Sequence, residues 1–234
     1  MICLLHTASP TVAGRASDIT VGILALQGGI REHAEVVESL GARVRLLRKP
    51  EHCVTGADGV DALILPGGES STMDRLLRLC DMVSPIKALI ASGVPVLGTC
   101  AGLILLATDI IDRAPGQGSL EVVDISVRRN AFGSQLVSTT ERFSLTGCET
   151  PHYVNGALIR APEILRIGDG VRELVSFSGR VLGITTTDDS HDLLGRITGV
   201  AFHPEINRDA TLHRAILEQA LERKFSGNRN SSVE

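Results

Sequence analysis

One cysteine between small residues is the strongest chemical signal in this 234-residue sequence. Residues 98–102 read Gly-Thr-Cys-Ala-Gly, the G-x-nucleophile-x-G form of a nucleophile elbow with Cys100 in the place of serine. In such a turn the glycines let neighbouring chains approach closely, and the N-terminus of the following helix stabilises a thiolate. The alternative interpretation is a buried structural cysteine in an ordinary strand-to-helix turn.

A histidine and a glutamate on either side of a proline form the second signal. Residues 201–205 read Ala-Phe-His-Pro-Glu and end a predicted strand. In an extended segment residues i and i+2 share a face, so we expect His203 and Glu205 to project together. His203 could then take the thiol proton of Cys100 while Glu205 orients the imidazole. A lone histidine at a strand end is more often a surface residue, and its combination with the elbow favours a catalytic base.

A glycine pair could stabilise negative charge on a reacting oxygen. Residues 65–71 read Leu-Pro-Gly-Gly-Glu-Ser-Ser, between a buried strand and a helix. We expect the backbone amides of Gly68 and Ala101 to form an oxyanion hole beside the cysteine. The alternative is a plain connecting loop in which Ser70 or Ser71 caps the helix. A phosphate-binding P-loop is excluded because the GxxxxGK[ST] pattern is absent.

Apolar runs typical of buried parallel strands precede these segments. Strands are predicted at residues 21–26, 44–47, 62–65 and 95–98, and helical patterns lie between them. Good helix formers at residues 103–108 predict a helix directly after the elbow. The reactive cysteine is therefore expected where a strand ends and a helix begins.

The middle and the end of the chain have a different pattern. β-branched residues alternate with polar ones at residues 122–127 and 136–143, which predicts antiparallel strands. A last helix is predicted over residues 210–224. Further strands are predicted at residues 157–160, 174–177, 181–187 and 197–202. The whole pattern predicts an α/β fold with a mainly parallel sheet flanked by helices and additional antiparallel strands in the C-terminal half.

Composition and charge exclude several classes of protein. Lys and Arg number 23 against 27 Asp and Glu, and aromatic residues make up 3% of the chain, so nucleic-acid binding is not expected. No apolar run approaches the roughly 18 residues that cross a bilayer, so no membrane partner is expected. The five cysteines are scattered and never form CxxC, which predicts neither disulfides nor a metal site and favours the cytoplasm.

The chain is expected to form one domain with two short tails. Residues 1–19 form the predicted flexible N-terminal extension, because they contain breaking residues and lack the pattern of a targeting peptide. Residues 226–234 are polar and are predicted to be a frayed tail. The folded domain is expected over residues 20–225.

Six motifs together resemble one family. LALQGGIREH, LILPGGESSTM, GTCAGLILLA, VRRNAFGSQ, LIRAP and FHPE are similar to the glutaminase subunits of pyridoxal 5'-phosphate synthases, within the triad (class I) glutamine amidotransferases. The resemblance covers residues 20–224. The elbow and the HPE motif are shared across the superfamily, and the other motifs specify the subfamily. The resemblance implies a class I glutamine amidotransferase-like, flavodoxin-like fold.

The resemblance also implies an activity. A triad of Cys100, His203 and Glu205 would hydrolyse L-glutamine to L-glutamate and ammonia. The ammonia would pass to a separate synthase subunit, in a hetero-oligomer, for the assembly of pyridoxal 5'-phosphate. No metal or bound cofactor is expected, because a thiolate, a base and an oxyanion hole account for the chemistry.

Substrate and partner contacts follow from the same resemblance. The implied substrate contacts are Gly68, Glu69, Ser70, Arg129, Ile159 and Arg160. Glutamine presents an ammonium and a carboxylate, so Glu69 could bind the first, and Arg129 or Arg160 the second. Gln27 and the REH segment at residues 31–33 are implied at the contact with the synthase, where they would couple the two active sites.

The chain departs from the family at residues 132–135, around residues 185–196 and before residue 20, and two rival functions are open. The chain reads FGSQ at residues 132–135, where the family usually has FGRQ. One rival is an amidotransferase subunit of purine or histidine synthesis, against which Gln27 and the RNAFG motif argue. The other is a non-catalytic α/β interaction protein, which the intact set of Cys100, His203 and Glu205 disfavours.

Overall fold

A computed structural model of the chain describes residues 16–56, 58–131, 139–147, 151–188 and 193–230. The first half of the described chain alternates strands and helices, as the apolar runs predict. In chain order its elements are β1 (Thr20–Leu24), α1 (Ile30–Ser39), β2 (Arg43–Leu47), a 3-10 helix (Pro50–His52), β3 (Ala62–Leu65), α2 (Ser70–Leu79), α3 (Val83–Ala91), β4 (Val96–Thr99) and α4 (Ala101–Leu106).

The second half of the described chain consists mostly of strands. Its elements are β5 (Ala107–Ile111), β6 (Val123–Arg128), β7 (Thr139–Leu145), β8 (His152–Leu158), β9 (Glu163–Ile167), β10 (Val171–Phe177), β11 (Arg180–Thr186), β12 (Ile197–Val200), a 3-10 helix (Glu205–Asn207) and α5 (Thr211–Asn230). β7 and β8 pair with each other as an antiparallel two-stranded sheet. The remaining described strands form one large sheet.

The large sheet joins the two halves of the chain through β4 and β12. Its strand order is β2-β1-β3-β4-β12-β11-β9-β6-β5, with β10 paired to β11. The strands from β2 to β12 are parallel, and β11 is antiparallel to its three neighbours. The predicted α/β fold, with a mainly parallel part and antiparallel strands in the C-terminal half, is confirmed.

Burial explains why the two halves of the sequence have different patterns. β1, β3, β4 and β12 are buried along their whole length, so their sequences are continuous apolar runs or small residues. In β6 buried positions alternate with half-buried or exposed ones, which is typical of a strand with one face on the core. Continuous apolar sequences therefore distinguish the central strands, and alternating ones are typical of a strand with one buried face, such as β6.

The helix after the elbow is shorter than predicted. It ends at Leu106 rather than Thr108, and the chain continues directly as β5 from Ala107. The carbonyl oxygen of Leu106 accepts a hydrogen bond from the N–H of Val122 at 3.0 Å, so a tertiary contact takes the place of the next helical bond. β5 and β9 are strands that the sequence analysis did not anticipate.

The ends of the domain are partly described. Ala16 and Ile19, within the expected N-terminal extension, are buried, whereas residues 1–15 lie outside the described residues. The last helix continues to Asn230, five residues into the segment expected as a tail. The domain limits at residues 20 and 225 stay predictions. None of the described helices has the length and apolar character needed to cross a membrane.

Candidate active site

Cys100 lies buried at a sharp turn between β4 and α4. Its φ of 48° falls in the left-handed region, a strained conformation for a residue with a Cβ and typical of a nucleophile elbow. A Cβ at Gly98 would lie 2.8 Å from Cδ1 of Leu106, and one at Gly102 would lie 1.9 Å from the carbonyl oxygen of Leu65. Packing therefore requires both glycines of the motif, as the sequence analysis expected.

The sheet brings the regions of Cys100 and His203 together although they are far apart in the sequence. β4 and β12 pair in parallel, with Thr99 opposite Val200. The N–H of Cys100 donates to the carbonyl oxygen of Val200 at 2.8 Å. Both strands end at the same level, so the residues that follow them meet at the carboxyl edge of the sheet, where α/β proteins bind ligands.

The His-Pro-Glu segment is a turn. Pro204 has helical dihedral angles, with φ −67° and ψ −32°, and Glu205 begins a 3-10 helix. Nδ1 of His203 nevertheless lies 2.8 Å from Oε1 of Glu205. The two side chains meet as expected, but the extended backbone expected to bring them together is wrong: a tight turn does so instead.

A neighbouring strand fixes the backbone of the histidine. The N–H of His203 donates to the carbonyl oxygen of Ala157 in β8 at 3.0 Å, and the N–H of Ala157 donates back at 3.1 Å. Asn155 of the same strand donates from its backbone and its side chain to Asp209, at 2.8 and 2.9 Å. The β7–β8 hairpin thus holds the turn that carries the imidazole at two points.

The side chain of His203 hydrogen-bonds to Glu205 and interacts electrostatically with Cys100. Burial lowers the pKa of His203, but the hydrogen bonds and charges of its two partners outweigh burial and raise the pKa to about 10. An imidazole with this pKa is protonated at neutral pH. The arrangement can therefore hold a thiolate beside an imidazolium, the form in which a cysteine is a strong nucleophile.

This electrostatic arrangement predicts an unusual titration. We expect the His203 ring to keep its proton through neutral pH and to lose it near pH 10, and to titrate at lower pH in Cys100→Ala, because that variant lacks one partner that raises the pKa. NMR of histidine-labelled protein measures both values. A parent ring that titrates near 6.5, and does not respond to Cys100→Ala, would contradict the arrangement.

Two glycine-containing turns meet beside the imidazole. The N–H of Gly29 donates to the carbonyl oxygen of Gly67 at 3.0 Å. A Cβ at Gly67 would lie 2.2 Å from Cε1 of His203, so the loop can approach the ring only because this residue is glycine. Oε1 of Gln27 accepts from the N–H of Glu69 at 2.8 Å. Gln27, which was expected at a partner contact, thus also holds the glycine loop in place.

An ion pair between Glu69 and Arg129 lies on the wall of the same site, with Nη2 of Arg129 2.9 Å from Oε1 of Glu69. The Glu69 carboxylate also caps α2 by accepting from the backbone and the hydroxyl groups of Ser71 and Thr72. Partial burial raises the pKa of Glu69, but these hydrogen bonds outweigh it and lower the pKa to about 2. Nη1 of Arg129 donates to Gln117 at 2.8 Å, so both charged groups are already held by protein partners.

A cavity of about 620 Å³ opens above these groups. Most of the residues singled out in the sequence line it, namely Gln27, Gly68, Glu69, Ser70, Cys100, Arg129, Ile159, Arg160, His203 and Glu205. Ala101 is the exception: it is the buried first residue of α4, where a backbone N–H has no acceptor within the helix. The helix cap that one interpretation assigned to Ser70 or Ser71 is Glu69 instead. Arg160 is exposed and has a φ of 45°.

Sequence reasoning missed several polar residues of the site. His33 was expected at a partner contact as part of the REH segment, yet its side chain is fully buried. It shares the inner face of α1 with Val36 and Val37, and this i, i+3, i+4 spacing is the signal that predicts its burial. The same spacing to the buried Ile216 and Leu217 in α5 marks His213, whereas no such signal marks Gln117. The FGSQ segment lies outside the described residues.

Comparisons with known proteins show the family of the chain. Two curated relatives are each called pyridoxal 5'-phosphate synthase subunit PdxT: one from Cutibacterium acnes is 41% identical over 86% of this chain and 97% of its own, and one from Corynebacterium jeikeium is 42% identical over 87% and 97%. A crystal structure described as a glutamine amidotransferase superposes with a TM-score of 0.73 and 37% identity, over 86% of this chain and 98% of that chain. Residues 23–222 match a family model. The chain belongs to the SNO glutamine amidotransferase family.

Proposed function

We propose that this protein is the glutaminase subunit of a pyridoxal 5'-phosphate synthase and that Cys100, His203 and Glu205 are its catalytic triad. The observation that carries the proposal is an imidazole that interacts with the strained cysteine and hydrogen-bonds to the buried carboxylate at 2.8 Å. The names of the curated relatives support the choice of pathway. A cavity of about 620 Å³ above the triad has ample room for glutamine.

The first half of the reaction forms a thioester. The Cys100 thiolate attacks the carboxamide carbon of glutamine, a C–S bond forms, and the C=O electron pair moves onto oxygen. The backbone N–H groups of Ala101 and Gly68 stabilise this oxyanion. The His203 imidazolium then donates its proton to the amide nitrogen, which leaves as ammonia when the C–N bond breaks.

The second half regenerates the enzyme. Neutral His203 takes a proton from water, and the hydroxide formed attacks the γ-glutamyl thioester. The C–S bond breaks, glutamate leaves and the Cys100 thiolate returns. Glu205 holds Nδ1 of His203 throughout, so that Nε2 is the nitrogen that exchanges protons.

The cavity wall supplies contacts for the amino-acid end of glutamine. As part of the proposal, Arg129 or Arg160 binds the α-carboxylate. Glu69 and Ser70 lie near the ammonium, although Glu69 must then share a carboxylate that already accepts from α2 and Arg129. Ile159 provides an apolar surface for the side chain of the substrate.

Ammonia is delivered to a synthase subunit in the same complex. Gln27, which holds the Glu69 amide and lines the cavity, is proposed to couple synthase docking to the glycine loop. A flip of the Gly67–Gly68 peptide would break the bond that Gly67 accepts from Gly29, and glycine tolerates such a change. The proposal includes a cytoplasmic location, where reducing conditions keep the thiol available.

A reconstituted complex tests the proposed function. We expect the purified chain mixed with its cognate pyridoxal 5'-phosphate synthase subunit to release ammonia from glutamine, and not from asparagine, and to support glutamine-dependent formation of pyridoxal 5'-phosphate. A coupled glutamate dehydrogenase assay measures the ammonia. Stimulation only by synthases of purine or histidine synthesis would favour the rival amidotransferase function, and no release with any synthase would favour the non-catalytic one.

A further inference from the structure

His33 is a fully buried histidine in contact with the triad. Its Nε2 lies 3.1 Å from Oγ1 of Thr99 and 3.5 Å from Oε1 of Glu205. Its Nδ1 lies 2.8 Å from Nε2 of His213. Oε1 of Glu205 is the same atom that binds Nδ1 of His203. A continuous row of polar side chains therefore extends beyond the triad to two further imidazoles.

The carboxylate of Glu205 needs a second donor. Its side chain is buried, and Oε2 has no hydrogen-bond partner among the described residues. An ionised carboxylate that accepts a single hydrogen bond in such surroundings is costly, because it has lost the water that would otherwise solvate it. His33 does not reach Oε2, but its Nε2 lies 3.5 Å from Oε1 and can stabilise the negative charge at the oxygen that orients His203.

The charge states of the two extra histidines limit each ring to one donor nitrogen. Burial lowers the pKa of His33 well below 6.5, and the neighbouring His213 and His203 lower it further. Burial also lowers the pKa of His213 to about 4, against the opposing effect of Asp209. Both rings are therefore neutral at pH 7, and each has one donor and one acceptor nitrogen. Two tautomers fit these contacts: Nε2–H of His33 can face Glu205 while Nδ1 accepts from His213, or Nδ1–H can donate to His213 while Nε2 accepts from Thr99. The proposal takes the first, because in the second a lone pair on Nε2 would face the negative charge of Glu205.

We propose that His33 is a positioning residue for the triad: its ring is held by His213 and Thr99, and its Nε2–H, 3.5 Å from Oε1, confines the carboxylate of Glu205 electrostatically. The inference rests on the proposed hydrolysis of glutamine. Thr99 directly precedes the nucleophile, so one imidazole supports both the cysteine turn and the acid. Without it, the carboxylate can rotate and His203 loses its orientation. We therefore expect a slower chemical step, while the substrate contacts on the cavity wall are unchanged.

Two amide variants test which ring nitrogen of His33 supports the triad. The amide nitrogen of glutamine can take the place of Nε2, whereas that of asparagine reaches only the place of Nδ1. We expect His33→Asn to lower kcat about 10- to 100-fold with little change in KM, by analogy with the loss of contacts that orient metal-binding histidines. We expect His33→Gln to restore kcat to within about fivefold of the parent. If His33 contributes only packing, both variants should lose activity in proportion to their loss in the free energy of unfolding.

Gln219→Met is the matched control. Gln219 is a buried amide on α5 that donates to the carbonyl oxygen of Leu194 at 2.6 Å. Leu194 precedes β12, at the end of that strand opposite the triad. We expect this variant to have a lower free energy of unfolding and the parent kcat, which separates lost stability from lost positioning.

A second readout does not depend on glutamine. The rate at which iodoacetamide alkylates Cys100 at pH 7, measured by mass spectrometry of its peptide, reports the reactivity of the thiolate. We expect slower alkylation in His33→Asn and the parent rate in His33→Gln. Parent-like kcat and alkylation in folded His33→Asn would overturn the proposal, as would equal losses in both variants. If the parent complex releases no ammonia, the proposed function fails, and the alkylation rates still decide the role of His33.

Discussion

Replacing Cys100 with alanine is expected to abolish glutamine hydrolysis in the reconstituted complex. The proposed thioester cannot form without the sulfur, and the loss of a nucleophile typically costs a factor of about a thousand or more in kcat. Alanine fits the small site, so the variant should fold and should still assemble with the synthase subunit. Ammonia release and gel filtration of the complex measure the two outcomes. An active variant would refute the assignment of the nucleophile.

Cys53→Ala is the matched control for that experiment. Cys53 is a free thiol away from the cavity, and burial raises its pKa to about 11, so it is protonated and unreactive at neutral pH. We expect this variant to keep the parent activity. An electrophilic glutamine analogue should label Cys100 and spare Cys53 and Cys80. Equal labelling of the three would argue against an activated thiol at the elbow.

A single added methyl group at Gly67 is expected to have the second large effect. The Cβ of Gly67→Ala would lie 2.2 Å from Cε1 and 2.8 Å from Nδ1 of His203, so the ring or the loop must move. A displacement of about 1 Å in a catalytic group can lower the rate about 100-fold. We therefore expect kcat to fall by about that factor while the chain remains folded. Single-turnover ammonia release measures the chemical step directly.

Gly170→Ala separates this steric effect from general destabilisation. Gly170 has a φ of 72° and no atom within 4 Å of the place where a Cβ would be, so alanine there strains only its own backbone. That strain costs about 1–2 kcal/mol. We expect a lower melting temperature and the parent kcat in Gly170→Ala. Parent kcat in Gly67→Ala as well would show that His203 need not stay where it lies.

Local chemistry made much of the site predictable from the sequence. The elbow could be recognised because only glycine fits at positions 98 and 102. The side chain of Leu106 comes close to the first, and the carbonyl oxygen of Leu65 to the second. The parallel strands could be recognised because strands buried on both faces are apolar throughout. The resemblance to glutamine amidotransferases, and the α/β fold that it implied, are confirmed.

The rest depended on contacts between distant segments. Nothing local shows that α4 stops at Leu106, because its carbonyl oxygen is taken by the N–H of Val122. The turn at Pro204 could be mistaken for a strand, since proline fits both conformations. The pairing of His33 with His213 joins the first and last helices, and no spacing along the chain can reveal it.

The hairpin that pairs with His203 also leads into the ligand wall. Ala157 exchanges two backbone hydrogen bonds with His203, and the same strand runs on to Ile159 and Arg160 at the cavity. If Arg160 binds the ligand as proposed, the ligand acts on the segment that pairs with His203. Ligand binding and the protonation equilibrium of His203 are then linked, and by reciprocity the protonation state that strengthens ligand binding is itself stabilised by the ligand.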